Sequence, residues 1–193
     1  MPGHVLFKEI GSRVALSQDE FDAVAAYFTY STINKKHKLV SEGRPNEKAF
    51  FIQKGLLFSY RTMESGDVQV VQFGKENHWI SDLYSFLSGS DALFTVEALE
   101  PCELWTLTKK DLDRAIAKSH AFETYWRLLF QTAHAHTLAR LSEIYSQDAE
   151  AKYDRLRTVY PDLLQRAPQY LIASYLGILP SSLSRIRNKK RKR

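Results

Sequence analysis

Residues 169–188 read QYLIASYLGILPSSLSRIRN, and this stretch decides how the rest of the chain is read. Two short helices can cross steeply over a turn of about three or four residues only under particular conditions. A small residue must stand where the helices approach, here Ala173. A residue that tolerates positive φ must stand in the turn, here Gly177. Apolar side chains must fill the wedge, and Ile172, Leu176, Ile178, Leu183 and Ile186 carry the required spacing. Pro180 falls at the start of the second helix, where its missing N–H has no intrahelical partner to lose. The segment therefore predicts a helix-turn-helix, whose second helix presents Ser181, Ser182, Ser184, Arg185 and Asn188 outward.

The charge of the chain is concentrated at this end. Residues 1–147 hold 16 Lys/Arg against 18 Asp/Glu, a net of −2, whereas residues 148–193 hold 11 against 4, a net of +7. From Leu163 onward there are 8 basic residues and no acidic one. A basic end on a near-neutral body points to a polyanion, because counterions released from nucleic acid favour association. A solvated basic tail is the plain alternative, and it does not account for the helix-turn-helix pattern beside it. Within that pattern Arg185 can donate two hydrogen bonds to one guanine in a major groove. Gln169 and Tyr170, at the start of the first helix, are candidate phosphate donors. Pro180, Ser181, Ser182, Ser184 and Asn188 complete the candidate surface. Arg187, Lys189, Lys190, Arg191, Lys192 and Arg193 are suited to backbone neutralisation.

Upstream, no Gly or Pro occurs from Thr108 to Tyr160, which predicts one long helix over about 120–147 followed by a second. A helix of about 25 residues is roughly 37 Å long, longer than a small barrel beside it. Leu138, Leu141 and Tyr145 keep a 3/4 spacing, as do Tyr125, Leu128 or Leu129, and Thr132, and the surplus apolar face suggests a partner helix. The stripe is too interrupted by polar residues for a strict coiled coil.

From Ile33 to Thr108 the pattern is different. Short β-branched and aromatic runs (KLV, AFFIQ, LLFSYRT, VQVVQF, LFTVEAL, CELWTL) alternate with turn signals at residues 42–46, 54–55, 65–67 and 100–101. Many short strands at near-even spacing predict a small barrel or jelly roll, with a short helix inside NHWISDLYSFLSGS. Ser17-Gln18-Asp19-Glu20 is a capping box and predicts a helix over about 17–30. The fold class is thus α+β: an N-terminal double-stranded β-helix barrel with flanking helices over 1–118, a long helix over 119–147, and an all-α helix-turn-helix domain over 148–193.

Several functions are disfavoured. No run of about 18 apolar residues occurs and residues 1–13 do not form a signal peptide, so a cytoplasmic protein without membrane contact is expected. The single cysteine, Cys102, lies in an apolar run and reads as a buried thiol rather than a redox sensor. A cupin metalloenzyme is the main alternative of another class. Its metal needs clustered ligands, but His37 and His78 lie 41 positions apart, and His134 and His136 point apart on a helix. No catalytic residue, metal site or cofactor is implied, and no phosphate loop or nucleophile elbow occurs.

Taken together, LIASYLGILPSSLSRIR behind a long helix and a glycine-punctuated barrel resembles the Crp/Fnr family of bacterial transcription regulators. The resemblance covers nearly the whole chain and implies a homodimer through the long helix, a two-fold related double-stranded DNA operator, and a barrel that senses a small molecule. It also allows RNA polymerase as a partner. Two departures stand out. The resemblance implies a phosphate-binding cassette with Gly-Glu and, about ten residues on, Arg followed by Ser or Thr. Here Ser81-Asp82 and Ala92-Leu93 fall at those places. Losing one partner of a buried charged contact costs about 3 to 5 kcal/mol, so cyclic AMP is not the expected effector. The degenerate effector pocket would comprise Trp79, Ser81, Asp82, Ala92 and Leu93, with Asp82 and Asp91 repelling a phosphate. Trp79, Tyr84, Phe86 and Phe94 can line an apolar pocket or belong to the core. One cysteine also excludes an iron–sulfur cluster of the Fnr kind. The second departure is that no wing hairpin follows the recognition helix, so the basic tail is expected to supply its phosphate contacts. A ligand-binding module without DNA contact remains the alternative of the same fold.

Overall fold

The computed structural model describes residues 4–146 and 148–191. Two helices come first, α1 (His4–Gly11) and α2 (Gln18–Ala25), followed by β1 (Thr29–Ile33), β2 (Lys38–Val40), β3 (Lys48–Lys54), β4 (Leu57–Thr62), β5 (Val68–Gly74) and β6 (Trp79–Ile80). Helix α3 (Leu83–Ser88) interrupts the strands before β7 (Thr95–Ala98) and β8 (Cys102–Thr108). Helices α4 (Lys109–Lys118), α5 (His120–Ser146), α6 (Ala149–Val159), α7 (Leu163–Arg166), α8 (Gln169–Leu176) and α9 (Pro180–Arg191) complete the described chain. Contacts divide it into two compact units, Met1–Ser59 with Phe73–Ala133, and Tyr60–Gln72 with His134–Arg193.

The strands form two four-stranded sheets, β1-β8-β3-β6 and β2-β7-β4-β5, the jelly-roll arrangement that the even strand spacing predicts. The pairs β1·β8, β3·β8, β3·β6 and β2·β7 are antiparallel. The run AFFI in β3 is apolar at every position because both faces of its sheet are covered. Phe50 and Ile52 face the cluster formed with Val40, Leu57, Val96 and Leu104, while Ala49 and Phe51 face the helices. Strand β8 divides the same way, with Cys102 and Leu104 on one side and Leu107 on the other. Cys102 is a buried free thiol, as its apolar run predicts. Gly55, at φ +108°, makes the turn before β4, where an added Cβ would lie 2.5 Å from the Cys102 sulfur.

The helix-facing core joins α1, α2, α4 and the start of α5 to the outer face of the first sheet through Leu6, Ile10, Phe21, Val24, Phe122, Tyr125 and Trp126. The Ser17 capping box is present: the Ser17 hydroxyl accepts from the Glu20 N–H and the Glu20 carboxylate accepts from the Ser17 N–H. The helix behind it is shorter than the predicted 17–30. It ends at Ala25, and Thr29–Ile33 pairs instead with β8 in the register Thr29↔Thr106 to Ile33↔Cys102. Residues Thr29, Thr32 and Ile33 are β-branched, and ladder pairing outweighs the helical spacing that runs from Phe21 to Phe28. Helix α1 was not anticipated.

The Gly- and Pro-free stretch forms three helices rather than two. Thr108 caps α4 by accepting from the Asp111 N–H, and the extended backbone of Ser119 breaks the chain before α5, where its hydroxyl accepts from the Phe122 N–H. Helix α5 has 27 residues, about 40 Å at the α-helical rise. Its apolar stripe serves two purposes. Tyr125 is fully buried in the chain's own core and Leu129 packs against that core, whereas Leu138 and Leu141 are 54% and 49% exposed. The side chain of Tyr145 lies outside the described residues, as do Lys192, Arg193 and the side chain of Arg191.

Candidate functional site

The second unit ends in a three-helix arrangement of α6, α8 and α9. Asp148 caps α6 by accepting from the Ala151 N–H at 2.8 Å. Tyr153 and Leu156 of α6 are buried, as are Leu171, Ile172, Ala173 and Leu176 of α8 and Leu183 and Ile186 of α9. Ala173 has no exposed surface at all, as close approach of the helices requires. Helix α8 stops at Gly177, whose φ of +68° lies in the left-handed region. The Gly177 N–H donates to the Ser174 carbonyl and the Ile178 N–H to the Ala173 carbonyl, which closes the last turn. Three residues later α9 begins at Pro180. The predicted helix-turn-helix is therefore present, with Ile178 only half-buried.

The outward residues also stand where the sequence places them. Gln169, Tyr170, Pro180, Ser181, Ser184, Arg185, Asn188 and Lys189 are exposed, and Ser182 and Lys190 are half-buried. Both lysines, which the sequence suits to backbone neutralisation, are engaged with α6. Lys189 Nζ donates to Glu150 Oε1 at 2.6 Å and Lys190 Nζ to Asp154 Oδ2 at 2.5 Å. The Lys190 hydrogen bond holds the Asp154 carboxyl below the usual aspartate range, assisted by the charges of Lys190 and Arg157. Helices α6, α8 and α9 also enclose a cleft of about 380 Å³. Arg157 and Tyr153 of α6 line it together with Gln169 of α8 and, from α9, Ser184, Arg187, Asn188 and Lys190. Sequence reading passed over Tyr153 and Arg157 because they lie outside the motif.

In the same unit, the Ser174 hydroxyl donates to the Val68 carbonyl at 2.6 Å and accepts from the Val70 N–H at 2.9 Å. One face of α8 is thereby tied to the β4–β5 hairpin tip, residues 60–72. Arg140 of α5 stacks over the Tyr175 ring, 3.6 Å from its centre, and donates to the Tyr175 carbonyl.

In the barrel, four of the five predicted pocket residues come together. Asp82 is 1% exposed and caps α3, accepting from the Ser85 N–H with one oxygen and from the Leu93 and Phe94 N–H groups with the other. The Ser81 hydroxyl donates to the Lys48 carbonyl and accepts from the Asn46 amide. Ala92 is buried in the inter-sheet core, and Leu93 is exposed. Trp79 departs from the group: its indole N–H donates to the Tyr125 hydroxyl at 2.8 Å, and its ring packs edge-on to Trp126 in the helix-facing core. Phe86 is buried in that core too, while Tyr84 is 53% exposed, so these aromatics do not line a common pocket. The expectation that Asp82 offers a free repelling charge is also corrected, since both its oxygens are occupied by main-chain donors. Burial raises the Tyr125 hydroxyl well above the usual tyrosine range.

Among the described residues, no three His, Cys, Asp or Glu side chains converge as a metal site, and no helix is long and apolar enough to cross a membrane. Residues 31–119 match the cyclic nucleotide-binding domain family. The matched part is thus similar to a cyclic nucleotide-binding domain, and a long helix and a helical C-terminal unit follow it. The chain shares its fold with several solved structures. It is similar to FixK2 from Bradyrhizobium japonicum, with 16% identity, a TM-score of 0.70, and coverage of 86% of this chain and 85% of that one. The c-di-GMP responsive global regulator CLP of Xanthomonas campestris is 13% identical, with a TM-score of 0.65 and coverage of 91% and 92%. The catabolite activator protein of Thermus thermophilus is 15% identical, with a TM-score of 0.60 and coverage of 95% and 87%. No relative of curated function matches the chain by sequence.

Proposed function

We propose that the chain is a dimeric, sequence-specific DNA-binding transcription regulator and not an enzyme. It divides into a sensor barrel (1–118), a dimerisation helix (119–147) and a DNA-binding domain (148–193). The observation that carries this reading is the helix-turn-helix of α8 and α9, whose exposed face bears Ser181, Ser184, Arg185 and Asn188. A recognition helix of this kind lies in the major groove, where Arg185 reads a guanine and the serines and Asn188 take neighbouring base edges or phosphates. Gln169 and Tyr170 hold the backbone at the start of α8. Each subunit reads one half of a two-fold related operator in the cytoplasm, with RNA polymerase as a partner of the bound dimer. The effector is not cyclic AMP or cyclic GMP; an effector of other chemistry, if the barrel takes one, binds without the Arg-Ser/Thr pair.

Selection of bound duplexes from a random pool, followed by titration of wild type and Arg185→Ala, tests the assignment. A two-fold related site should emerge. Arg185→Ala should cost roughly 1 to 3 kcal/mol per half-site and relax preference at one base position, with little effect on a scrambled duplex. Equal weakening on both duplexes would remove Arg185 from base reading.

A further inference from the structure

The cleft between α6, α8 and α9 holds more positive charge than its own acid can balance. Of its three cations, Lys190 is paired with Asp154. Arg157, which is exposed, and Arg187, which is half-buried, form no hydrogen bond or ion pair with the described residues. Neither guanidinium group is held by a hydrogen bond or ion pair, although Arg157 acts on Asp154 through its charge, and both arginines line a polar space of about 380 Å³ together with Gln169, Asn188 and Ser184. Planar guanidinium groups match the paired oxygens of a phosphate, and amide and hydroxyl donors complete such a site without adding charge. Ser184 and Asn188 belong both to this cleft and to the outward face of α9, so a ligand lying along that face runs into the cleft.

We propose that the cleft takes one phosphodiester of the DNA strand flanking the groove that α9 enters, with Arg157 and Arg187 as its charge partners. This rests on the DNA-binding reading and deepens it. It adds a contact from α6, outside the helix-turn-helix, that fixes the register of α9 without reading a base.

The test uses the full chain, the selected operator and a scrambled duplex over a series of salt concentrations. Arg157→Gln and, separately, Arg187→Gln should weaken both duplexes alike, about tenfold, and lower the salt slope by about one per half-site. Arg155→Gln removes the same charge from an exposed position of α6 that does not line the cleft, and should change neither quantity. A neutral methylphosphonate at one flanking position per half-site should weaken the wild type and leave Arg157→Gln unaffected. The proposal falls if Arg157→Gln and Arg187→Gln bind as the wild type does, if Arg155→Gln loses as much as Arg157→Gln, or if no methylphosphonate position separates wild type from variant. A wild type that binds neither duplex overturns the DNA-binding reading itself, and the cleft assignment with it.

Discussion

The Asp82 carboxylate accepts the main-chain N–H of Leu93 at 2.8 Å, eleven residues along the chain. The same oxygen accepts from Phe94, and its partner oxygen caps α3 through Ser85. The Asp82 side chain therefore already occupies the main-chain N–H groups of Leu93 and Phe94, and the neighbouring Ala92 and Leu93 supply no cation. Asp82→Ala should lower stability by about 2 to 4 kcal/mol in denaturant titration, since it removes a cap and takes the acceptor from three main-chain N–H groups, one of them buried. Calorimetry on the wild type should show no heat of binding from cyclic AMP or cyclic GMP. Micromolar affinity for either would show that Asp82 yields its donors to a phosphate.

Helix α5 uses its two halves differently, with Tyr125 buried in the chain's own core and Leu138 and Leu141 left exposed. Two exposed leucines one turn apart on a helix bury well against a symmetry-related copy. The double variant Leu138→Glu and Leu141→Glu should be monomeric by light scattering and lose operator affinity while keeping the helical circular dichroism of the wild type. A dimer of unchanged mass would place the interface elsewhere.

Asp154 holds Lys190 and stands near Arg157 in charge. Its folded pKa is lowered, so its ion pair contributes fully above the ordinary aspartate value, near pH 4, and is lost as pH falls through the lowered folded value. Asp154→Asn should remove that part of the acid dependence of unfolding. At neutral pH it should also free Lys190, tightening binding to any duplex and steepening the salt slope by about one per half-site. Unchanged salt dependence would mean that Lys190 does not reach DNA even when released.

Much of this architecture is legible in the chain itself. Gly177 at positive φ, Pro180 at the start of α9 and the Ser17 capping box are read from neighbours a few residues apart, because local stereochemistry sets them. The apolar run in β3 is read as a strand, and its coverage on both faces is seen only in the fold. The helix predicted over 17–30 fails where Thr29–Ile33 gains a ladder with β8, a partner more than seventy residues away that periodicity does not contain.

The candidate sites divide in the same way. Local pattern along the chain sets the helix-turn-helix and its outward residues. Folding alone brings Trp79 to Tyr125, Asp82 to Leu93 and Phe94, Lys189 and Lys190 to Glu150 and Asp154, and Arg157 to the same cleft as Arg187. The physical reason is range. Helix and turn formation depend on steric and hydrogen-bonding choices within a few residues, whereas the partner of a charged or polar side chain depends on which distant surfaces burial of the apolar core brings within hydrogen-bonding distance.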